Sequence, residues 1–218
     1  MAKKKALVEE LLNIELILVK CTQKRCPLYT RCTMLPTEVV GKGKVKVLFV
    51  GQGGGTTEGS LKRPFVGRAG MTQRKIIRHA KLDLGLSESK GCYAMGNICR
   101  FAPGWEEKKN RTPSKEELDF CIPYLERDIL RINPKTIVLL GDSAFHAFFP
   151  LLNTKEHRGK FLKLKIKGKT FKVMFTYHPS YGLRKPDILG KILHDVKLAF
   201  GYKQPNIHDM GTSQKKRT

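Results

Sequence analysis

Short apolar runs bounded by glycine, proline or polar residues recur along this chain. They have the length of buried strands, and they lie at residues 45–50, 92–96 and 136–140. Residues 161–177 alternate between apolar and polar side chains around Lys167-Gly168-Lys169. This alternation predicts a β-hairpin whose second arm continues into His178.

Amphipathic stretches with a helical period separate these runs. Helices are predicted at residues 6–19, from about 68 onward, and at 115–132, 142–149 and 186–200. Asp142 is the predicted N-cap of the fourth helix. Residues 20–44 are expected to form a cysteine-bearing loop, and residues 205–218 a basic, disordered tail.

The order of these elements predicts the fold. Four strand-like runs, the three above and the second arm of the hairpin, are separated by helices and indicate an α/β domain. We expect a three-layer α/β/α sandwich with a central four-stranded parallel sheet, and we place this domain in residues 1–204. In such sheets ligands bind outside the carboxyl ends of the strands. The polar residues that follow those ends are Gln52, Asn97, Asp142, Ser143 and His178. An active site is therefore predicted at that edge.

The charge of the chain is extreme for its size. There are 42 Lys and Arg against 19 Asp and Glu, a net charge of +23, which indicates a nucleic-acid partner. Charge alone does not separate DNA from RNA, because phosphate contacts carry no sequence information. No apolar run is long enough to span a bilayer, and no secretory signal is recognisable. We expect a cytoplasmic, nucleoid-associated monomer of prokaryotic or viral source.

Cysteines are the second compositional feature. The six lie at positions 21, 26, 32, 92, 99 and 121. Disulfides are disfavoured in a reducing compartment, so metal ligation and buried thiols remain as interpretations. Cys92 falls in a predicted strand and is most simply a small core residue.

A longer motif carries more specific information. The segment Arg63-Pro64-Phe65-Val66-Gly67-Arg68-Ala69-Gly70 follows a glycine-rich loop at residues 51–55. Further matching residues are Asn97, Cys99, Cys121 and His178-Pro179-Ser180. This set resembles the uracil-DNA glycosylase superfamily, nearest to the iron–sulfur enzymes called family four, from Cys21 to about Phe200. The resemblance implies the uracil-DNA glycosylase fold and a monofunctional enzyme of base excision repair. Such an enzyme flips uracil out of single- or double-stranded DNA and hydrolyses its N-glycosidic bond to leave an abasic site.

The resemblance also implies roles for individual residues. Phe65 would be the aromatic floor on which uracil stacks, with ordinary core packing as the structural alternative. Asn97 would read the Watson–Crick edge of the base, with a strand-end cap as the alternative. His178 would stabilise the leaving anion. Base contact is also implied for Gly53, water orientation for Gln52, and DNA contact for Arg68, Ser180, Leu183 and Arg184. The segment from Ser180 to Arg184 is expected to be a DNA-intercalating loop, with Leu183 as the wedge.

The first motif departs from the family. Gln52 and Gly54 stand where the family has glutamate and proline, and glutamine holds water without supplying negative charge. Glu58 lies nearby and is a candidate substitute. Two alternatives therefore stay open: a catalytically weak or inactive DNA-binding subunit of a replication or other DNA-processing complex, and a glycosylase for a modified uracil.

The family's [4Fe–4S] cluster is implied as well, with no small-molecule cofactor besides it. Cys99 and Cys121 match the second ligand pair, and Cys26 matches one member of the first pair. Cys21 is the nearest candidate for the remaining ligand, and Cys32 is its rival. Zinc or no metal are the alternatives to a cluster.

Overall fold

A mixed β-sheet runs through the computed structural model, which describes residues 14–17, 24–29, 34–87, 90–104 and 108–203. Its strands in these ranges are β1 Ile14–Ile17, β2 Thr37–Val40, β3 Val47–Gly51, β4 Tyr93–Asn97, β5 Thr136–Leu140, β6 Phe161–Ile166 and β7 Lys169–Thr176. They lie in the order β1-β2-β4-β3-β5-β7-β6.

The four inner strands, β4, β3, β5 and β7, are parallel to one another. This confirms the predicted parallel sheet, whose strands are buried on both faces because apolar layers cover both. The outer strands β1, β2 and β6 are antiparallel to their neighbours.

Helices cover the two faces of the sheet. In the described ranges they are α1 Thr56–Leu61, α2 Arg68–Asp83, α3 Lys115–Ile132, α4 Asp142–His146, α5 Thr154–His157, α6 Pro179–Arg184 and α7 Asp187–Phe200. One apolar layer joins α3 and α4 to the sheet, and the other joins α2 and α7 to its opposite face. The predicted three-layer α/β/α arrangement is confirmed.

Helix α3 has the bounds that the sequence predicts, because its capping residues are local. The Ser114 side chain accepts a hydrogen bond from the Glu117 amide, and the Glu117 carboxylate accepts one from the Ser114 amide. Asn133 closes the helix in the left-handed conformation, at φ 50°.

Two predictions for the N-terminal part are wrong where the structure describes it. Within the helix expected at 6–19, residues 14–17 form strand β1, and within the loop expected at 20–44, residues 37–40 form β2. The two strands pair with each other, and β2 also pairs with β4. Tertiary pairing therefore overrides a local helical period in a segment this short.

Two further boundaries are corrected. Gly141, not Asp142, is the N-cap of α4, and this helix ends at His146 rather than at residue 149. The segment from Ser180 to Arg184, expected as a loop, belongs to helix α6, which begins at Pro179. Proline suits the first position of a helix because an N–H at that position would have no partner within the helix.

The predicted tail at 205–218 lies outside the described residues. None of the described helices is both long enough and apolar enough to cross a membrane.

Candidate active site

A cavity of about 770 Å³ lies at the carboxyl ends of the parallel strands. Of the residues singled out from the sequence, its lining includes Gly53, Phe65, Arg68, Asn97, His178, Ser180, Leu183 and Arg184. Parallel strands end at one edge of the sheet, so residues more than a hundred positions apart in the chain meet there.

Phe65 sits in this lining in an unusual backbone conformation. Its φ is 55°, in the left-handed region that non-glycine residues adopt at a cost, and only 6% of its surface is exposed. A Cβ on Gly70 would overlap the Phe65 backbone. A Cβ on Gly51 would meet the Phe65 ring and the Asn97 amide oxygen. Glycine at these two positions therefore lets both site residues approach closely.

Arg74 of α2 holds the Phe65 segment. Its Nε donates to the Phe65 carbonyl at 3.0 Å, and Nη2 donates to the Pro64 carbonyl at 3.1 Å. Its Nη1 lies 2.7 Å from a carboxylate oxygen of Glu38, a fully buried residue of β2. The other Glu38 oxygen accepts hydrogen bonds from Arg63, at 2.9 Å and 3.2 Å. A buried charge network thus ties the segment to the sheet.

Glu58 braces the same segment from the other side. One carboxylate oxygen accepts from the Val66 and Gly67 amides, at 3.0 Å and 2.6 Å. The other accepts from the Gly55 amide at 3.0 Å. The carboxylate thereby links the glycine-rich loop to the Phe65 segment, and the residue lines the cavity.

Asn97 is the last residue of β4, in register with Gly51 of β3, and 5% of its surface is exposed. A rigid strand end therefore presents its amide to the cavity.

His178 caps the helix that follows it. Its Nδ1 accepts from the Ser180 amide at 3.2 Å and lies 2.8 Å from the Ser180 hydroxyl. A backbone N–H only donates, so the proton of the neutral ring resides on Nε2. Burial lowers the pKa of His178, and the positive charge of Arg184 lowers it further, while Glu58 opposes the shift.

Gln52 lies beside the cavity rather than among its lining residues. It lines a neighbouring cavity of about 570 Å³, which shares Gly53, His178 and Ser180 with the first. Its amide Nε2 is buried and has no hydrogen-bond partner among the described residues. A donor in this state is suited to holding a water or a substrate oxygen.

Three of the four described cysteines lie together, whereas Cys92 is buried in the apolar layer that contains α3. Cys26, Cys99 and Cys121 belong to one buried apolar cluster. A hydrogen bond from the Cys99 thiol to Cys121, together with burial, raises the pKa of Cys99 well above its usual value. Among the described residues no three His, Cys, Asp or Glu side chains come together as a metal-binding group. Cys21 and Cys32 lie outside those residues.

The cavity lining also includes Asn110, Arg111 and Thr112, for which the sequence predicted no role. The Asn110 amide oxygen accepts from the Thr56 amide at 2.7 Å. Arg111 makes a two-pronged ion pair with Glu117, at 2.8 Å and 2.7 Å, which lowers the pKa of Glu117. The sequence feature that could have pointed to these residues is their position between Cys99 and Cys121.

Comparison with known proteins gives one family. The model described as "Uracil DNA glycosylase superfamily" matches residues 39–197. The type-4 uracil-DNA glycosylase of Pyrobaculum aerophilum is 32% identical over 183 residues, which cover 81% of this chain and 87% of that protein. The type-4 uracil-DNA glycosylase of Thermotoga maritima is 34% identical over 203 residues, covering 88% and 94%. That of Archaeoglobus fulgidus is 30% identical over 195 residues, covering 85% and 92%.

Proposed function

The chain belongs to the uracil-DNA glycosylase superfamily, and we propose on this premise that it removes uracil from DNA by hydrolysing the N-glycosidic bond. The reaction leaves an abasic site and begins base excision repair. The observation that carries the proposal is the meeting of Phe65, Asn97 and His178 at one cavity. Enzymes that act on a base extrude it from the stack into such a pocket.

Base selection rests on Phe65 and Asn97. The phenyl ring offers a stacking surface, and its backbone is held on both sides by Arg74 and Glu58. The Asn97 amide oxygen accepts from uracil N3–H while its NH₂ donates to uracil O4. Cytosine presents the reversed pattern at these two positions, so it would leave both groups unpaired.

His178 acts on the leaving group. When the bond between C1′ and N1 breaks, its electron pair stays on uracil, and negative charge spreads onto uracil O2. Because Nδ1 of His178 accepts from Ser180, the neutral ring donates from Nε2 to that oxygen. Water adds to C1′, and its proton is released to solvent.

Gln52 and Glu58 together take the role of the glutamate that the family has at position 52. The unpartnered Nε2 of Gln52 holds the attacking water by its oxygen. Glu58 supplies negative charge in the cavity wall, opposite the positive charge that develops on the sugar. Its three backbone hydrogen bonds keep it in place and make it an electrostatic rather than a proton-accepting group.

DNA lies across the mouth of the cavity. Leu183 on α6 has 42% of its surface exposed and is the apolar wedge that fills the vacated stack. Arg68 at the start of α2 and Arg184 at the end of α6 meet flanking phosphates, assisted by Ser180. Both single- and double-stranded DNA fit such contacts.

The residues present fit an iron–sulfur cluster in part. Cys26, Cys99 and Cys121 share one buried cluster, and thiolates are the ligands that such clusters require. Cys21, with Cys32 as its rival, would complete a set of four. When bound, a [4Fe–4S] cluster supplies a structural crosslink between these segments. The glycosylase chemistry needs no redox step.

The test uses anaerobically purified protein and a labelled oligonucleotide with a single uracil, followed by alkali and gel electrophoresis. We expect strand breakage that depends on uracil, is absent with thymine, and is lost in Asn97→Ala and His178→Ala while DNA binding persists. His79→Ala, on the exposed side of α2, is the matched control and retains cleavage. DNA binding without any uracil-dependent breakage would refute the proposal.

A further inference from the structure

One face of the β6–β7 hairpin carries lysines that no acidic group neutralises among the residues that the structure describes. Lys163 and Lys165 of β6 and Lys172 of β7 are exposed, and Lys163 lies directly opposite Lys172 in the register. Between residues 157 and 186 the chain contains no Asp or Glu. In the described part of the chain, none of these three lysines makes an ion pair. We call this surface the hairpin face.

The arrangement is unfavourable unless an anion covers it. Like charges directly opposite on neighbouring strands destabilise a sheet. Lysines on an edge strand prevent aggregation, which accounts for those of β6. This reason does not extend to Lys172, because β7 is an inner strand paired with both β5 and β6. The Lys172 ammonium lies 3.5 Å from the centroid of the Phe161 ring, which holds its charge on this face.

The hairpin face points away from the apolar layer that contains α3. Leu162, Leu164 and Ile166 pack into that layer, and side chains alternate along a strand, so Phe161, Lys163 and Lys165 point the other way. On that side α7 and β7 share the second apolar layer through Met174, and no β6 residue belongs to it.

The hairpin face also begins near the base pocket. Phe161 pairs with Met174, and β7 runs from Met174 toward His178. Four residues of extended chain span about 13 Å. Strand β6 continues from there for about 17 Å away from the pocket, which matches about five base pairs of duplex.

We propose that the hairpin face binds the phosphate backbone of duplex DNA flanking the flipped uracil. The proposal rests on the proposed function, and it adds a surface separate from the base pocket and from α6. The hairpin face then contributes sequence-independent binding, because lysines that contact phosphate carry no base information. An acidic protein is the competing occupant, and the experiment distinguishes the two.

The test compares two triple variants with the same loss of charge. Lys163→Gln/Lys165→Gln/Lys172→Gln removes the positive charge of the hairpin face. Lys42→Gln/Lys44→Gln/Lys135→Gln removes exposed lysines at the amino ends of the parallel strands, opposite the cavity. The dissociation constant for a uracil-containing duplex of about 30 base pairs is measured over a range of salt concentrations, on the scale set by counterion release.

We expect the hairpin variant to bind the duplex roughly tenfold or more weakly at low salt and to lower the magnitude of the log–log salt slope by about 2 to 3. The control variant should change the slope by less than about 1. Equal slopes in the two variants, or unchanged binding by the hairpin variant, would overturn the proposal, and unchanged binding would favour an acidic protein instead.

Two additional measurements keep the outcome decisive. Cleavage of a uracil oligonucleotide too short to reach the hairpin should be the same in both variants and the parent. If the parent fails to cleave it, the proposed function fails, while the duplex-binding slopes still decide the hairpin face. If the glutamine variant aggregates, Lys163→Glu/Lys172→Glu keeps the face charged and soluble and should bind duplex DNA more weakly still. Undiminished binding by that variant would also overturn the proposal.

Discussion

Replacing Arg74 with methionine tests how the base pocket is built. Arg74 donates to the carbonyls of Pro64 and Phe65 and pairs with the buried carboxylate of Glu38. Methionine keeps the apolar stem of the side chain and removes every one of these polar contacts. The substitution therefore separates charge and hydrogen bonding from packing.

The expected loss of stability follows from the contacts. Breaking a buried ion pair by removing one partner costs about 3–5 kcal/mol, since the remaining charge is left in the interior. Arg63 still donates to Glu38, which places the cost near the lower limit, about 3 kcal/mol. The left-handed backbone of Phe65 costs about 1–2 kcal/mol by itself, and without Arg74 this residue is free to relax. A stacking ring displaced by about 1 Å lowers turnover by about a hundredfold.

The assay pairs chemical denaturation with single-turnover cleavage of a uracil oligonucleotide. Arg63→Met is the matched control, because Arg63 binds the same carboxylate but donates to neither carbonyl of the Phe65 segment. We expect both variants to lose stability, only Arg74→Met to lose cleavage about a hundredfold, and Arg74→Lys to recover part of it. Equal loss of cleavage in the two methionine variants would refute the reasoning, because Arg74 would then act through general stability alone.

Four further predictions concern the same cavity. Gly70→Ala should destabilise the protein and abolish cleavage, because the added Cβ overlaps the Phe65 backbone, and wild-type melting and cleavage would contradict this. Asn97→Asp should lower kcat/KM for uracil by about 100-fold or more, since a carboxylate cannot donate to uracil O4, and a rate near that of the parent would count against edge reading. The pKa of His178 is lowered in the folded protein. Its contribution to stability is therefore fully present above the ordinary imidazole pKa and is lost as the pH falls through the folded pKa. Cleavage should fall over the same acidic pH range. Arg184→Gln should raise the His178 pKa measured by NMR, and an unchanged pKa would show that the Arg184 charge does not lower it.

Local patterns in the sequence determined the centre of the fold. The strands at 136–140 and in the hairpin, and the whole of α3, could be predicted because their signals are local: buried apolar runs, a two-residue turn, and caps at Ser114 and Asn133. The same holds for most of the candidate site. Phe65, Asn97 and His178 stand in recognisable motifs or at strand ends, where topology brings polar residues together.

Only the tertiary structure decided which distant groups complete that site. Glu38 lies in a segment expected as a loop, and nothing in the sequence marks Arg74 within its helix, yet the two meet beneath Phe65. Gln52 was predicted to orient water, and only the structure places it in the lining of the neighbouring cavity. Caps, turns and apolar periods depend on residues a few positions apart, and they can be read from the chain. Pairing of β2 with β4, or of a buried carboxylate with an arginine 36 positions away, depends on the complete packing of the sheet and its helices.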